Sequence, residues 1–247
     1  MKQWSVRAKC WQRQLREAAA NEAPHAQMTT LAGCYVKAIP AVEAKPIIMK
    51  YEWLGTMGRS AASYGLYTEA GELIGVALFG WPGGVESRDI CGKENRHLAV
   101  CLERGACVHW AHQHAASFLI SRAVKLASDQ HGWRIFYAYS DEEAGEIGTV
   151  YQACNWIYIG QGVGRSPGRS REYYKSPDGK VVSSRWARHN LTTKKELMLS
   201  GWTTIHKPPK HKYIWIEADR REKKTILAAL RYPPQPYPKR EATKEGQ

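Results

Sequence analysis

Three histidines lie close together in the middle of the chain, at the spacing His-x-x-His-x-His: His109, His112 and His114. Imidazole nitrogens bind transition metals, and this spacing brings the three side chains within reach of one ion. No carboxylate or cysteine at a defined spacing completes a ligand set. We therefore predict no metal site and interpret the segment as a loop that contacts substrate, with these histidines as the metal-ligand candidates.

A glycine-rich segment at residues 160–164, Gly-Gln-Gly-Val-Gly, resembles a nucleotide-binding loop. In such a loop a helix follows the last glycine, and its N-terminal N–H groups bind the phosphates. Pro167 and Gly168 stand where that helix would begin. The sequence therefore indicates no dinucleotide site here.

Polar side chains stand at the ends of several predicted elements. Asp141 follows an apolar strand, where it could accept a proton or a hydrogen bond, or else cap the turn that begins at Glu142. Arg104 follows another strand, where its guanidinium suits a phosphate or carbonyl oxygen, or else pairs with neighbouring carboxylates. Ser117 opens a predicted helix and is either a cap or a catalytic hydroxyl.

The elements that position these residues follow from hydrophobic patterning. Two apolar runs around a loop that contains Gly71 predict a β-hairpin. Further strands, a long helix that Gly132 ends and a short helix are predicted at 97–102, 115–130, 134–139, 148–153 and 156–159. This alternation predicts an α/β fold with a mixed central sheet flanked by helices.

Positive charge is concentrated in the last third of the chain. Of 36 Lys+Arg and 23 Asp+Glu, residues 1–160 hold 16 and 15, whereas residues 161–247 hold 20 and 8, a net charge of +12. We predict a leader at 1–30, helical or loose, a core at 31–160, a basic C-terminal extension at 161–232 that binds nucleic acid, and a flexible tail at 233–247.

Composition excludes several classes of protein. A chain that is 43% hydrophobic and 24% charged is typical of a globular protein, not of a collagen-like or wholly disordered one. No apolar run approaches the ~20 residues of a membrane span, and the polar start predicts no signal peptide. The six cysteines are scattered singly, so we expect reduced thiols and a cytoplasmic protein.

Basic and aromatic residues alternate in the predicted extension. Cations bind phosphates and aromatic rings stack on bases, so the mixture predicts a nucleic-acid-binding surface, with a solvated basic face as the alternative. The predicted DNA-binding residues are Arg165, Arg169, Arg171, Lys175, Arg185, Arg188, Lys207, Lys210 and Lys212.

Specific motifs resemble the Mom family of phage DNA-modification proteins. They are Lys-Tyr-Glu-Trp-Leu-Gly-Thr-Met-Gly at 50–58, Arg-Gly-Ala-Cys-Val at 104–108 with the helix start at 115–122, and Tyr-Ser-Asp at 139–141 with 148–156. The resemblance implies an enzyme that converts adenine in double-stranded DNA to a carbamoylmethyl derivative in the host cytoplasm. This modification hides phage DNA from host restriction enzymes.

The order of elements also resembles the GNAT acyltransferase fold. There a central strand separates from its neighbour, and backbone N–H groups at this point and at the next helix N-terminus bind the donor. The resemblance assigns donor binding to Arg104, Gly105, Ala106, Cys107, Ala116, Ser117 and Asn155. The glycine pair of the usual pyrophosphate loop is missing, and the bulky segment 108–114 replaces it, which counts against a standard coenzyme A site.

The implied reaction assigns roles to further side chains. The adenine amine is a poor nucleophile, so the enzyme must extrude the base, position it and stabilise the oxyanion that forms when the amine attacks the donor carbonyl. Asp141 would accept a proton. Tyr151 stands where GNAT enzymes place a proton-donating tyrosine, and Tyr51 would contact the extruded base, although both are equally suited to the core.

Atom counting constrains the donor. Carbamoylmethyl adds two carbons and one nitrogen to the amine, as a glycyl group does, whereas an acetyl group lacks the nitrogen. The atom count therefore favours a glycyl ester, for example on tRNA, as the donor. Acetyl-CoA is the alternative donor. The alternative functions are a GNAT-like nucleic-acid-binding module without this activity and an acetyltransferase that acts on protein or small amines.

Overall fold

A seven-stranded sheet forms the centre of the larger part of the molecule. The computed structural model describes residues 11–19, 26–162 and 170–239. The strands of this sheet are β1 Tyr35–Ala38, β2 Ala62–Tyr67, β3 Leu73–Gly80, β4 Ala99–Cys107, β5 Ile135–Ser140, β6 Ile157–Gln161 and β10 His211–Ile216. Their order is β1-β2-β3-β4-β5-β10-β6. Pairing is antiparallel from β1 to β4 and between β5 and β10, but parallel between β4 and β5, so the predicted mixed sheet is confirmed.

Helices flank this sheet, as predicted. They are α1 Trp11–Ala19, α2 Ala41–Tyr51, α3 Val85–Arg88, α4 Ala115–His131, α5 Thr149–Ala153 and α8 Arg220–Ala228. On α4, Leu119, Ala123 and Ala127 repeat at helical spacing and are buried, which anchors the helix to the core. Gly132 ends α4 in the left-handed region at φ 70°. Among the described residues, none of the helices combines the length and the apolar character that a membrane span needs.

The strand β4 separates from β5 halfway along its length. The parallel ladder runs from Ala99 opposite Ile135 to Leu102 opposite Ala138 and ends there. β4 continues to Cys107 in pairing with β3. The register between β3 and β4 shifts at Leu78 and Phe79 of β3, next to the point where β4 leaves β5. Such a bulge bends a strand away from its neighbour. This separation is the feature that the GNAT resemblance implied.

The predicted division of the chain is wrong after residue 160. The structure divides the chain into two units. Gln161–Lys210 form the smaller one, and His211–Gln247 belong with Met1–Gly160 to the larger one. The reason is burial: Tyr213, Ile214 and Ile216 of β10 are 0–1% exposed and fill the interior of the large sheet. The basic segment is therefore an insertion between two core strands and not a C-terminal extension.

Both predicted terminal segments contact the core where the structure describes them. Gln27 and Met28, in the predicted leader, hydrogen-bond to backbone oxygens of the loop at Trp110. In the predicted tail, Gln235 N donates to Tyr158 O and Tyr237 Oη donates to Trp156 O. The described part of the tail is thus ordered by the sheet.

The smaller unit has its own sheet and core. Its elements are β7 Arg171–Lys175, β8 Val181–Ser183, α6 Ser184–Asn190, α7 Lys194–Leu199 and β9 Thr203–Lys207, with β7 between β8 and β9. Tyr174, Val182, Ala187 and Leu197 form its apolar cluster. Thr193 and Glu196 cap α7 reciprocally, which fixes where that helix begins.

Candidate functional site

Arg104, on the separated half of β4, is held by the segment that follows α2. Its Nε donates to Thr56 O at 2.6 Å, Nη2 to Thr56 Oγ1 at 3.0 Å and Nη1 to Glu103 O at 2.6 Å. The carboxylates of Glu52 and Glu103 each lie 3.8 Å from the guanidinium. Of the two predicted roles, the structure therefore has Arg104 pairing with neighbouring protein groups, and its donors are directed at them.

The motif at residues 50–58 folds to receive this arginine. The carboxylate of Glu52 accepts the N–H groups of Leu54 and Gly55, at 2.7 and 3.1 Å. Gly55 and Gly58 have φ values of 56° and 65°, where a side chain would be strained. A Cβ at Gly58 would lie 3.3 Å from Cζ of Arg104. Gly58 therefore lets the backbone approach the guanidinium, and Glu52 and Thr56 are site residues that the prediction omitted.

Tyr51 and His109 connect α2 to the loop after β4. Tyr51 is 8% exposed, and its hydroxyl lies 3.1 Å from His109 Nδ1. His112 Nδ1 instead accepts the backbone N–H of His114 at 3.2 Å. In the part of the chain that the structure describes, no group of three His, Cys, Asp or Glu side chains could hold a metal ion. His109 thus contacts a tyrosine, and the rings of His112 and His114 lie 5.3 Å apart, between their centres.

The loop at residues 108–114 is packed and lacks the glycines of a phosphate-binding loop. Trp110 and Ala111 are buried, and Trp110 O accepts the N–H of Met28 at 2.9 Å. Gln27 Nε2 donates to Ala111 O at 2.5 Å. A phosphate-binding loop needs small residues and outward N–H groups. Here the segment contains no glycine and its Trp110 and Ala111 are buried, so it differs from the usual pyrophosphate loop of a coenzyme A site.

The first turn of α4 has two N–H groups available next to this loop. Ala115 N–H donates to His112 O and Phe118 N–H to His114 O, which leaves those of Ala116 and Ser117 without a backbone acceptor among the described residues. The N-cap is His114, and Ser117 Oγ donates to His114 O at 3.0 Å. Ser117 is therefore not the predicted cap. Because a helix N-terminus attracts negative charge, this turn suits a polarised carbonyl.

Tyr151 lies on α5, next to the start of α4. Its half-buried ring packs against Trp156 and Tyr213, with centroids 5.3 Å apart in each case. Burial raises the pKa of Tyr151, and the negative charges of Glu146 and Glu52 raise it further. The Cys154 Sγ, at the end of α5, lies 3.5 Å from Ser117 O. The raised pKa means that the Tyr151 hydroxyl keeps its proton. Glu52 is close enough to act on this hydroxyl electrostatically.

Asn155 follows α5, and its backbone is in the left-handed region at φ 58°. Asparagine tolerates this conformation better than most residues, so it ends the helix in place of glycine. The side chain is exposed. Gly105, Ala106 and Cys107, also assigned to donor binding, lie on the separated half of β4. The structure therefore places the predicted donor-binding residues on the end of β4, on the start of α4 and after α5.

Asp141 follows β5 directly and is 8% exposed. Its carboxylate accepts the N–H of Glu143 at 3.2 Å and caps a single 3₁₀ turn, which is the predicted alternative role. The next residue, Glu142, lies 3.0 Å from Nε2 of buried His211, whose Nδ1 lies 2.9 Å from Tyr158 Oη. Burial lowers the pKa of His211, against the raising effect of Glu142 and Asp141. Asp141 thus caps the turn at the strand end, close enough to His211 to act on it electrostatically.

The smaller unit presents basic and aromatic side chains on one face of its sheet. Arg171, Tyr173 and Lys175 alternate along β7 with buried Tyr174, so they share the face opposite the apolar cluster. Lys207 lies opposite Arg171 in the register, and its Nζ is 4.7 Å from the centre of the Tyr173 ring. Arg171 lies over the same ring at 5.6 Å. We name these four residues the β7 face.

The other predicted DNA-binding residues have different positions. Arg165 and Arg169 lie outside the described residues. Arg185 and Arg188 are exposed on α6, and Lys210 is half-buried at the end of the unit. The prediction for Lys212 is wrong, because this side chain is 2% exposed on β10 and cannot reach a phosphate at the surface.

Solved structures with a distant likeness to this chain are acetyltransferases. An IAA acetyltransferase from Bacillus cereus is 11% identical with a TM-score of 0.41, over 74% of this chain and 99% of that one. A spermidine N-acetyltransferase from Vibrio cholerae, in complex with CoA and spermine, is 11% identical with a TM-score of 0.42, over 79% of this chain and 99% of that one. At these values the likeness carries no information about substrate.

No curated protein matches this chain. The profile of the Mom protein family does, over residues 33–239, which include the motif at 50–58, the separated strand β4, the start of α4 and the whole smaller unit. The match extends over most of the sequence, from β1 to the segment after α8. The chain belongs to the Mom protein family.

Proposed function

We propose that this protein transfers an acyl group from an activated donor to the exocyclic amine of adenine in duplex DNA. The observation that carries the proposal is the separation of β4 from β5, next to which the start of α4 and the helix α5 with Tyr151 lie together. Family membership supports DNA as the substrate. The product we expect is carbamoylmethyl-adenine, which would protect phage DNA from restriction enzymes in the host cytoplasm.

The proposed step has a defined balance of bonds and protons. The adenine nitrogen attacks the donor carbonyl, the N–C bond forms, and the bond from that carbon to the leaving oxygen breaks. Asp141 accepts the proton of the amine, and Tyr151 donates a proton to the leaving oxygen. The N–H groups of Ala116 and Ser117 stabilise the negative charge on the carbonyl oxygen during the attack. Tyr51, fixed by His109, borders the extruded base.

The donor we propose is a glycyl ester, such as glycyl-tRNA, and acetyl-CoA is the alternative. The packed loop at 108–114 argues against close binding of a pyrophosphate. A glycyl group also supplies the nitrogen of the product. After transfer, its free amine attacks the ring carbon that bears the amide and the linkage rearranges to the carbamoylmethyl isomer, which needs no further reactant.

Mass spectrometry of nucleosides tests the proposal. Plasmid DNA from bacteria that express the protein should contain deoxyadenosine heavier by one carbamoylmethyl group. Purified protein, duplex DNA and isotope-labelled glycyl-tRNA should then give labelled adenine. If adenine is labelled from isotope-labelled acetyl-CoA and not from glycyl-tRNA, the glycyl donor is rejected. Unmodified DNA alongside soluble, folded protein would contradict the enzyme and favour the alternative of a nucleic-acid-binding module.

We further propose that the β7 face binds the DNA backbone. The Arg171→Gln, Lys175→Gln, Lys207→Gln variant should bind duplex DNA more weakly, and the slope of log affinity against log salt should fall by about 3 because three phosphate contacts are lost. A matched control removes three positive charges from helices of the larger unit: Lys125→Gln, Lys223→Gln, Lys224→Gln. Fluorescence anisotropy at several salt concentrations measures both slopes. Equal slopes for the two variants would mean that the β7 face is only a solvated basic surface.

A further inference from the structure

A lysine, a serine and a tyrosine that the proposed adenine reaction does not use meet beside the large sheet. Lys212 Nζ on β10 donates to Ser87 Oγ on α3 at 3.2 Å. Ser87 Oγ lies 2.9 Å from Tyr139 Oη on β5. The ammonium position also lies over two aromatic rings, 4.9 Å from the centre of Tyr137 and 5.3 Å from that of Tyr139.

Strand pairing fixes this arrangement. β10 and β5 are antiparallel, with Lys212 directly opposite Tyr139, and Tyr137 lies two residues along the same face of β5. Lys212 is 2% exposed, Tyr139 is 39% exposed and Ser87 is half-buried. The serine hydroxyl therefore stands between solvent and a buried amine, which is the order a nucleophile and its base require.

The lysine has an unusual environment. An ammonium group has three donors, and among the described residues Ser87 Oγ is the hydrogen-bond acceptor of Nζ. Burial lowers the pKa of Lys212 to about 8, against the raising effects of Cys101 on β4, Glu86 on α3 and Cys91. Tyr137 and Tyr139 of β5 face it with protonated hydroxyls, because burial raises the pKa of each. A neutral amine at this position can accept a proton.

We propose that Ser87 is a reactive nucleophile that takes an acyl group from a carboxylic ester or thioester, with Lys212 as its general base and Tyr139 as the proton donor to the leaving group. In this step the Oγ–C bond forms and the bond from that carbon to the leaving oxygen or sulfur breaks. The Oγ proton goes to Lys212 Nζ, and Tyr139 Oη gives its proton to the leaving group and recovers one from Lys212. The product is an acyl-serine, and its formation does not depend on the adenine chemistry proposed above.

A fluorophosphonate probe tests the site on the full-length protein without DNA. The serine oxygen bonds to phosphorus and fluoride leaves, so peptide mapping by mass spectrometry locates the label. We expect Ser87 to react at least about tenfold faster than exposed Ser200, whose Oγ donates to Glu196 O and has no hydrogen bond to a lysine among the described residues. The rate should increase as pH rises through about 8, because only the deprotonated amine of Lys212 accepts the proton.

Variants separate the base from general reactivity. Lys212→Met keeps an unbranched apolar side chain as far as the ε position and removes the amine, so labelling of Ser87 should fall at least about tenfold. Lys223→Met is the matched control, because Lys223 also lies over an aromatic ring, that of Trp215. In this variant the labelling rate of Ser87 should equal that of the wild-type protein. Ser87 labelling no faster than that of Ser200 in the wild-type protein would overturn the proposal, as would unchanged labelling in Lys212→Met. If Lys212→Met does not fold, two other measurements test the proposal: the pH profile of Ser87 labelling in the wild-type protein and the labelling rate in Tyr139→Phe. A flat pH profile together with unchanged labelling in Tyr139→Phe also overturns the proposal.

Discussion

The Tyr151→Phe variant is expected to modify adenine about 10²- to 10³-fold more slowly than the wild-type protein, with unchanged affinity for DNA. The substitution removes one hydroxyl and leaves the ring in contact with Trp156 and Tyr213. Because burial and two carboxylates hold the pKa of Tyr151 above its ordinary value, the phenol stays protonated in any usual assay buffer. Its loss therefore removes the proton donor of the leaving oxygen and little else.

Single-turnover kinetics with excess protein, read by mass spectrometry of nucleosides, measure this effect on the chemical step. Fluorescence anisotropy measures DNA affinity. The control is Tyr64→Phe, which also removes one buried hydroxyl from the large sheet, where Tyr64 Oη contacts Gln130 Oε1 at 3.0 Å. Equal rates for Tyr151→Phe and wild type would show that Tyr151 only fills space between α5 and the sheet. A rate loss of the same size in Tyr64→Phe would mean that general loosening, and not proton transfer, lowers the rate.

Local patterning predicts the parts of this fold whose signals lie within one segment. The hairpin around Gly71, the helix that ends at Gly132 and the strand before Asp141 all occur where the sequence indicates them. Each is specified within about twenty residues by its apolar pattern and by the turn or cap residue next to it, which is Gly71, Gly132 or Asp141. By contrast, β10 pairs with β5 across an interval that contains the whole smaller unit. Since no local pattern records such a pairing, the basic residues before β10 favoured a surface assignment for Lys212.

The candidate site shows the same limit. Residue types identify Arg104 and Tyr51, but their contacts lie 48 and 58 residues away, with Thr56 and His109. Glu52 had a readable signal, because a carboxylate two and three residues before Leu54 and Gly55 can accept their N–H groups. Thr56 had none. What sequence reasoning leaves open in each case is which partner satisfies a polar group, and that depends on the tertiary fold.

A methyl group added at Gly148 is expected to destabilise the larger unit by about 2–5 kcal/mol and to abolish modification. Gly148 precedes α5 with φ 79°, a conformation that costs a residue with a side chain about 1–2 kcal/mol. In Gly148→Ala the Cβ would also lie 2.3 Å from Cε2 of Tyr213. That ring cannot yield, because it is 0% exposed, packs against Tyr151 and Tyr158, and donates its hydroxyl to Ile147 O. Overpacking of this kind costs about 1–3 kcal/mol more.

The control Gly132→Ala separates the two causes of this loss. Gly132 also has a positive φ, 70°, but nothing lies within 4 Å of a Cβ built there, so this variant should lose only the conformational part, about 1–2 kcal/mol. Urea denaturation gives the two free energies of unfolding, and the nucleoside assay gives the two activities. If Gly148→Ala loses no more stability than Gly132→Ala, then Tyr213 does move, and the aromatic packing that holds α5 and Tyr151 is softer than the contacts indicate. If it loses more and yet retains activity, the position of Tyr151 is not what the reaction depends on, and the proton donor must be sought elsewhere along the separated edge of β4.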